Sequence, residues 1–290
     1  MSAIEQEVVS QPAVWREAAR LEAGDALPGH GQRVGVIGCG TSFYVAAAYA
    51  ALREHAGLGE TDAFPASEFP TARAYDAVVA ISRSGTTTEV LDAVAVIGER
   101  VSTVAITAVA ESPLAHAAGR VVTLPFADER SVVQTRFATA TLVLLRAHMG
   151  IDSAPAVAAA ERVLERPLPI DPAGFDRFHI LGRGWAVGLA HEAALKLREA
   201  AQAWSEAYPA MEYRHGPIAT ADSRTLVVPI GELDPDLESD IRATGATVLE
   251  PEAEPLASVV LAHRLAIALA HARGLDPSNP RNLTRSVVLP

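Results

Sequence analysis

Two short apolar runs that end in glycine constrain the fold of this chain more than any other feature. Residues 33–38 (RVGVIG) and 177–184 (RFHILGRG) each predict a buried strand and a tight turn, and a predicted helix follows each. Further buried strands are predicted at residues 76–82, 102–107, 120–124 and 225–230. Because strands alternate with helices, the sequence predicts an α/β fold with mainly parallel, doubly wound sheets flanked by helices.

The length of 290 residues favours two domains, although one large α/β domain remains possible. A proline-containing stretch at 151–155 is a plausible boundary, so we predict domains at 1–152 and 153–290. The opening of the second half resembles that of the first, which indicates a weak internal duplication at domain scale.

Charge and cysteine content narrow the classes of partner. The net charge of −11 and the lack of a Lys/Arg-rich run disfavour nucleic acid. Cys39 is the only cysteine, so the chain forms no internal disulfide and no cysteine-based metal cluster. The N-terminus lacks a signal-peptide pattern, and charged or histidine residues interrupt the apolar stretches. We therefore expect a cytoplasmic protein with no membrane role, no metal and no cofactor.

A loop rich in hydroxyl groups, residues 82–88 (SRSGTTT), lies between a predicted strand and a predicted helix. Ser82, Ser84 and Thr87 offer hydroxyl donors, Gly85 allows a tight turn, and Arg83 adds positive charge if it points inward. Such a loop at a helix N-terminus suits a phosphate. An ordinary helix cap is the alternative, but a cap needs one hydroxyl, so we favour phosphate binding.

The first glycine loop, residues 38–42 (GCGTS), resembles the start of a dinucleotide-binding motif. Phe43 occupies the sixth position, where that motif requires glycine or alanine. Glu60 and Asp62 lie near the expected distance for a ribose-binding acid, so a dinucleotide dehydrogenase stays a minor alternative. Cys39 is interpreted as a small buried residue, since no neighbouring base is evident.

In the long helix of the second half, Glu192, Lys196 and Glu199 share one face because they are spaced four and three apart. On this pattern alone, an exposed salt-bridge ladder is the favoured interpretation. His215 is followed by Gly-Pro in a constrained loop and could be structural.

Taken together, these motifs resemble the SIS (sugar isomerase) domain family. The resemblance is carried in order by residues 39–42 (CGTS), 82–87 (SRSGTT), 192–199 (EAALKLRE), 206–217 and 279–287 (NPRNLTRSV). It implies two tandem SIS domains, each flavodoxin-like. It also implies that a sugar phosphate and its neighbouring hydroxyls are bound by Thr41, Ser42, Ser82, Ser84 and Thr87. Arg83 and Arg285 depart from the family pattern, and we expect them to be further substrate contacts.

The same resemblance assigns the chemistry to the second half. Glu199 would be the base that moves a proton between C1 and C2, and Lys196 beside it would keep it ionised. Glu192 would support this pair. His215 would help to open the sugar ring and would reach the site from the other subunit, which implies a homodimer.

Two departures from the family modify the expected reaction. No glutamine-hydrolysing half is present in this sequence, and Arg285 stands where glutamine-using members carry a lysine that forms a Schiff base. We therefore expect an isomerase or a deaminase/deglycase that acts on a hexose or amino-sugar 6-phosphate without glutaminase activity. A phosphosugar sensor that binds without turnover is the alternative.

Overall fold

The computed structural model describes residues 1–289 and divides the chain into two compact units. The five-stranded unit comprises Ala13–Ser153 and Thr284–Pro290, and the four-stranded unit comprises Met1–Pro12 and Ala154–Leu283. The division after Ser153 lies one residue from the predicted boundary. The two chain ends are exchanged relative to the prediction: residues 1–12 belong to the four-stranded unit, and the segment that begins at Thr284 belongs to the five-stranded unit. Long-range contacts cause this exchange, and a local pattern does not display them.

In the five-stranded unit the strands are β1 (Val34–Gly38), β2 (Thr61–Pro65), β3 (Ala77–Ile81), β4 (Ser102–Thr107) and β5 (Arg120–Thr123). They form one parallel sheet in the order β2-β1-β3-β4-β5. This is the flavodoxin-like, doubly wound order. The predicted α/β class with parallel strands is confirmed.

The helices of this unit are α2 (Gln11–Arg20, whose first two residues belong to the four-stranded unit), α3 (Thr41–His55), α4 (Thr88–Ile97), α5 (Pro113–Ala117) and α6 (Arg136–His148). Helix α3 packs against α6, and α4 packs against α5. Apolar side chains of β1, β3 and α4 form a core with Ile37, Val78 and Val90. Because β1 lies between β2 and β3, the chain leaves β1 and β3 in opposite directions, which opens a crevice at their carboxyl ends.

In the four-stranded unit, β6 (Arg177–Gly182), β7 (Trp204–Pro209), β8 (Thr225–Ile230) and β9 (Thr247–Val248) form a parallel sheet in the order β7-β6-β8-β9. Its helices are α1 (Ala3–Val9), α7 (Ala154–Glu165), α8 (Ala186–Ala201), α9 (Pro235–Ala243) and α10 (Pro255–Ala272). Helix α8 packs against α10, which also contacts α1 and α7.

Helix α10 is long and apolar enough, by length and composition, to cross a membrane. Its 18 residues have a mean hydropathy of 1.4, and 72% of them are buried. Its neighbours α1, α7 and α8 cover it, which is the usual setting of a core helix.

Candidate functional site

The hydroxyl-rich loop joins β3 to α4 at the carboxyl edge of the five-stranded sheet. Gly85 has a φ of +64°, a conformation that side chains disfavour. A Cβ at this position would also collide with the side chain of Ser112 and lie 3.1 Å from Thr107 Oγ1. Only glycine fits there without displacement, so the loop has one narrowly defined path.

The hydroxyl groups of this loop bond to one another and to the loop backbone. Ser82 Oγ lies 3.2 Å from Thr87 Oγ1 and accepts a hydrogen bond from Gly85 N at 3.2 Å. Ser84 Oγ accepts from Thr86 N at 3.2 Å and from Thr86 Oγ1 at 3.0 Å. The structure thus brings Ser82, Ser84 and Thr87 together in one loop, and their contact with a phosphate stays a prediction.

The tail of the chain lies against the same loop. Ser286 Oγ is 3.1 Å from Ser84 Oγ and 2.9 Å from Thr86 Oγ1. The first helical N–H of α4, that of Thr88, donates to Val287 O at 3.2 Å. The sequence predicts a functional role for Arg285 in this tail, but the sequence interpretation missed the hydroxyl of Ser286.

Arg83 is fully buried, and its guanidinium donates to backbone carbonyls rather than lying open to solvent. Nη1 donates to Ser131 O at 2.9 Å, and Nη2 donates to Arg285 O at 2.7 Å. Nη1 is also 3.7 Å from Glu129 Oε2. These contacts make Arg83 a link between the loop, the 129–132 segment and the tail.

Arg285 is also held by protein groups. Its Nη2 donates to Asp128 Oδ1 at 2.6 Å, and its Nη1 donates to Glu129 O. The side chain is 39% exposed. It therefore fixes the tail to the segment that precedes α6, while part of its guanidinium faces solvent.

Glu129 is a buried residue of this region that the sequence interpretation missed. Its Oε1 accepts from Thr135 N at 2.6 Å, Thr135 Oγ1 at 2.8 Å and Arg136 N at 2.8 Å. A carboxylate at the beginning of a helix satisfies free N–H groups and complements the helix dipole. Glu129 thus caps α6 and also faces Arg83.

The loop after β1 lies beside the hydroxyl-rich loop, because β1 and β3 are neighbours in the sheet. Thr41 and Ser42 begin α3 there and are both buried. A Cβ at Gly38 would lie 2.7 Å from the carbonyl carbon of Ser42, so the strand and the helix approach closely. Burial raises the pKa of the Cys39 thiol, and Glu89 raises it further, which disfavours a nucleophilic thiolate.

The two acids of the dinucleotide alternative lie at the wrong edge of the sheet. Glu60 precedes β2 and pairs with Arg33 at 2.8 Å. Asp62, near the beginning of β2, accepts from Tyr75 Oη at 2.8 Å. A ribose-binding acid follows the carboxyl end of its strand, so neither residue matches that role.

In the four-stranded unit, α8 carries a buried cluster rather than the exposed ladder favoured by spacing alone. Lys196 Nζ lies 2.6 Å from Glu199 Oε2 and 4.0 Å from Glu192 Oε1. The side chains of Glu192 and Lys196 are 1% and 2% exposed, whereas that of Glu199 is 18% exposed. The exposed-ladder interpretation was wrong because α10 packs over this part of α8.

The cluster continues through two residues that the sequence interpretation missed, His263 of α10 and Gln11. His263 Nε2 lies 3.1 and 3.2 Å from the two carboxylate oxygens of Glu192. Gln11 Nε2 lies 3.3 Å from His263 Nδ1 and 3.3 Å from Val8 O. Because Gln11 Nε2 is the donor toward Nδ1, the network places Nε2 as the ring nitrogen that donates to Glu192. The carboxylate of Glu192 therefore lies between Lys196 and His263.

His215 ends a short 3₁₀ helix, Ala210–His215, and is exposed. Gly216 follows with a φ of +138°, which explains the glycine at this turn. The structure gives His215 no hydrogen-bond partner among the described residues.

This chain is similar to a known protein family and to several curated proteins. Residues 30–149 match the family model described as the SIS domain. The glutamine–fructose-6-phosphate aminotransferase of Sulfolobus acidocaldarius is 30% identical over 89% of this chain and 50% of its own length. That of Gloeobacter violaceus is also 30% identical, over 98% of this chain and 58% of its own length. The chain spans about half the length of the curated relatives that it matches.

Solved structures share the fold of this chain. Glucosamine-6-phosphate deaminase from Thermotoga maritima has a TM-score of 0.84 and 27% identity, covering 99% of this chain and 100% of its own. Tagatose-6-phosphate ketose/aldose isomerase from Escherichia coli has a TM-score of 0.79 at 20% identity, covering 100% of this chain and 96% of its own, and shows the fold alone. Residues 30–149 of this chain therefore form a SIS domain.

Proposed function

We propose that this chain is a phosphosugar isomerase or deaminase/deglycase that moves a proton between C1 and C2 of a hexose or amino-sugar 6-phosphate. The carrying observation is the unequal exposure of two carboxylates that share one ammonium. Glu192 is buried beneath α10 and hydrogen-bonded to His263. Glu199 is partly exposed to solvent and lies 2.6 Å from Lys196 Nζ. Glu199 is thus the member of the cluster that is available to a substrate.

A carboxylate with this placement suits proton abstraction next to a carbonyl. Glu199 would take the proton from one carbon of the open-chain sugar, leaving an enediolate or, in an amino sugar, the corresponding enolamine anion. A proton would then move from the oxygen or nitrogen on C2 to the oxygen on C1. The resulting carboxylic acid would return the proton to the neighbouring carbon. In the amino sugar this yields an imine at C2, and addition of water followed by loss of ammonia gives the ketose. Neither route needs glutamine.

The phosphate is assigned to the loops of the five-stranded unit. Thr41, Ser42, Ser82, Ser84 and Thr87 lie at the carboxyl ends of the neighbouring strands β1 and β3, where helices α3 and α4 begin. Backbone N–H groups and hydroxyls at helix N-termini favour anions. Relatives of this fold include the named deaminase and isomerases of sugar 6-phosphates.

Arg285 supports a reaction without a covalent sugar adduct. Its guanidinium stays protonated and is bonded to Asp128, so it is unsuited to attack a carbonyl. The same observation favours the alternative function, a phosphosugar sensor that binds without turnover. The two functions predict the same ligand class and differ in whether Glu199 is needed for any product.

We also propose two tandem SIS domains and a homodimer in which His215 serves the partner's sugar. The order β7-β6-β8-β9 repeats that of the first four strands of the other sheet, which supports the duplication. The exposure of His215 supports a role outside its own unit's core. Sedimentation equilibrium tests the dimer, and a cytoplasmic location stays a prediction.

A phosphosugar panel tests the function. Fructose 6-phosphate, glucosamine 6-phosphate and ketosamine phosphates are screened by thermal shift and by assays for ammonia and for ketose or aldose. We expect Glu199→Gln to abolish turnover while ligand-induced stabilisation remains, and the exposed Glu165→Gln of α7 to match the wild type. Binding with no product from the wild type would favour the sensor, and no stabilisation by any sugar would refute the phosphosugar assignment.

A further inference from the structure

A polar aromatic cluster in the four-stranded unit lies outside all the residues assigned so far. It consists of His179 on β6, Glu206 and Tyr208 on β7, and Tyr213 in the 3₁₀ helix that carries His215. His179 pairs in register with Glu206, and Tyr208 lies two residues further along β7 on the same face. The three rings form a triangle with centroids 5.6, 5.8 and 6.3 Å apart.

The donor and the acceptor of the hydrogen bond between Tyr213 and His179 can be assigned. His179 Nδ1 lies 2.7 Å from Tyr213 Oη, and both residues are fully buried. Burial lowers the pKa of His179, and burial raises the pKa of Tyr213, so the histidine is neutral and the phenol protonated at neutral pH. Tyr213 therefore donates to Nδ1, which leaves the ring proton on Nε2.

That proton faces a carboxylate. His179 Nε2 lies 3.7 Å from Glu206 Oε2, and the same oxygen accepts a hydrogen bond from Tyr208 Oη at 2.8 Å. His179 Nε2 thus faces Glu206 without a hydrogen bond to it, and the donor Tyr213 is the group that makes Nδ1 the acceptor. The cluster satisfies the Tyr213 hydroxyl at a depth that water does not reach.

Tyr213 stands two residues before His215 in the same turn. The next residue after His215, Gly216, has a φ of +138°, and a second short 3₁₀ helix begins at Pro217. At the surface, Arg214 Nε pairs with the exposed Asp240 at 2.8 Å, an interaction that is weak in water. The Tyr213–His179 hydrogen bond is therefore the buried polar attachment of this turn to the central strand β6.

We propose that Tyr213 and His179 are positioning residues for His215, because their hydrogen bond fixes the turn from which the His215 imidazole reaches a sugar ring. This inference rests on the proposed function for the role of His215. The attachment itself is a property of the turn and is testable without any substrate.

The first test removes one oxygen atom. Tyr213→Phe keeps the ring in the core, and we expect kcat for a cyclic phosphosugar to fall about tenfold while KM stays within about twofold, since misplacing a catalytic group lowers the rate of the chemical step. In a His215→Asn background, the same change is expected to have no further effect on kcat. Equal losses of kcat in both backgrounds, or no loss in either, would overturn the proposal.

A matched pair at His179 separates positioning from packing. His179→Asn keeps an acceptor near the Nδ1 position, whereas His179→Leu removes the acceptor and keeps an apolar side chain of similar size. We expect the asparagine variant to retain several times the kcat of the leucine variant. Equal kcat values in the two variants would contradict a role for the hydrogen bond.

Amide hydrogen exchange distinguishes failure of this inference from failure of the proposed function. We expect Tyr213→Phe to speed exchange of the amides in residues 211–216 by tenfold or more, with little change in α8, because the turn loses its attachment. This result would support the attachment even if no phosphosugar is turned over. Unchanged exchange of the amides in residues 211–216 would refute the attachment whatever the activity of the wild type.

Discussion

Replacing Lys196 with methionine is expected to destabilise the four-stranded unit strongly. The ammonium lies 2.6 Å from Glu199 and 4.0 Å from Glu192, and its side chain is 2% exposed. Methionine fills similar volume, so the change removes a charge while leaving little cavity. Glu192 would then keep its buried carboxylate with His263 as the remaining polar neighbour among the contacts described above.

The size of the effect follows from the burial of these charges. Two unit charges 4 Å apart attract by about 4 kcal/mol at an effective dielectric constant of 20. Removing one partner of a buried pair costs about 3–5 kcal/mol, because the other charge stays desolvated. We therefore expect Lys196→Met to lower the free energy of unfolding by about 3–5 kcal/mol.

Urea unfolding followed by circular dichroism measures this loss, and Arg242→Met provides the control. Arg242 pairs with Glu238 at 2.6 Å on α9, but these side chains are 46% and 29% exposed. Breaking that pair is expected to cost less than about 1 kcal/mol. Adding Glu192→Gln to Lys196→Met removes the stranded charge and should recover part of the loss.

Two results would refute the reasoning. A loss for Lys196→Met no greater than that for Arg242→Met would mean that the ammonium is effectively solvated. A further loss on adding Glu192→Gln, instead of a recovery, would mean that the carboxylate of Glu192 is stabilised without Lys196.

Three further predictions concern other parts of the molecule. Gly85→Ala should lower the free energy of unfolding more than Gly98→Ala does. Both glycines have a positive φ, which costs alanine about 1–2 kcal/mol, but only an alanine at position 85 also collides with neighbouring atoms. Equal urea midpoints for the two variants would contradict this. Glu129→Gln should cost about 1–3 kcal/mol in unfolding free energy, because the charged acceptor at the beginning of α6 is lost. Since burial lowers the pKa of His179 below 6.5, the unfolded chain binds more protons there, and stability falls as pH drops below about 6.5; His179→Asn should flatten this part of the profile.

The parallel α/β class was predictable from sequence because central strands are buried on both faces. β1 and β3 are continuous apolar runs, β8 is apolar after Thr225, and β6 is apolar apart from Arg177 and His179; this pattern is local. The edge strands β2 and β7 were not predicted. They read TDAFP and WSEAYP, with polar residues and a terminal proline, because an edge strand has less core contact to satisfy.

The candidate site was predictable to the extent that its residues stand in short motifs. Ser82, Ser84 and Thr87 come together because one loop carries them, and Glu192, Lys196 and Glu199 share a helix face because 3.6 residues make a turn. Their roles in a reaction remain predictions.

Tertiary structure alone decided which of these side chains are buried and which distant residues complete them. The sequence by itself determined the fold class, the hydroxyl-rich loop and the spacing on α8, since each depends on neighbours within a few residues. The packing of α10 made an apparent surface ladder into a buried cluster and added His263. Long-range pairing likewise brought the tail to the loop and Tyr213 to His179, because such contacts depend on the path of the whole chain and leave no local periodicity.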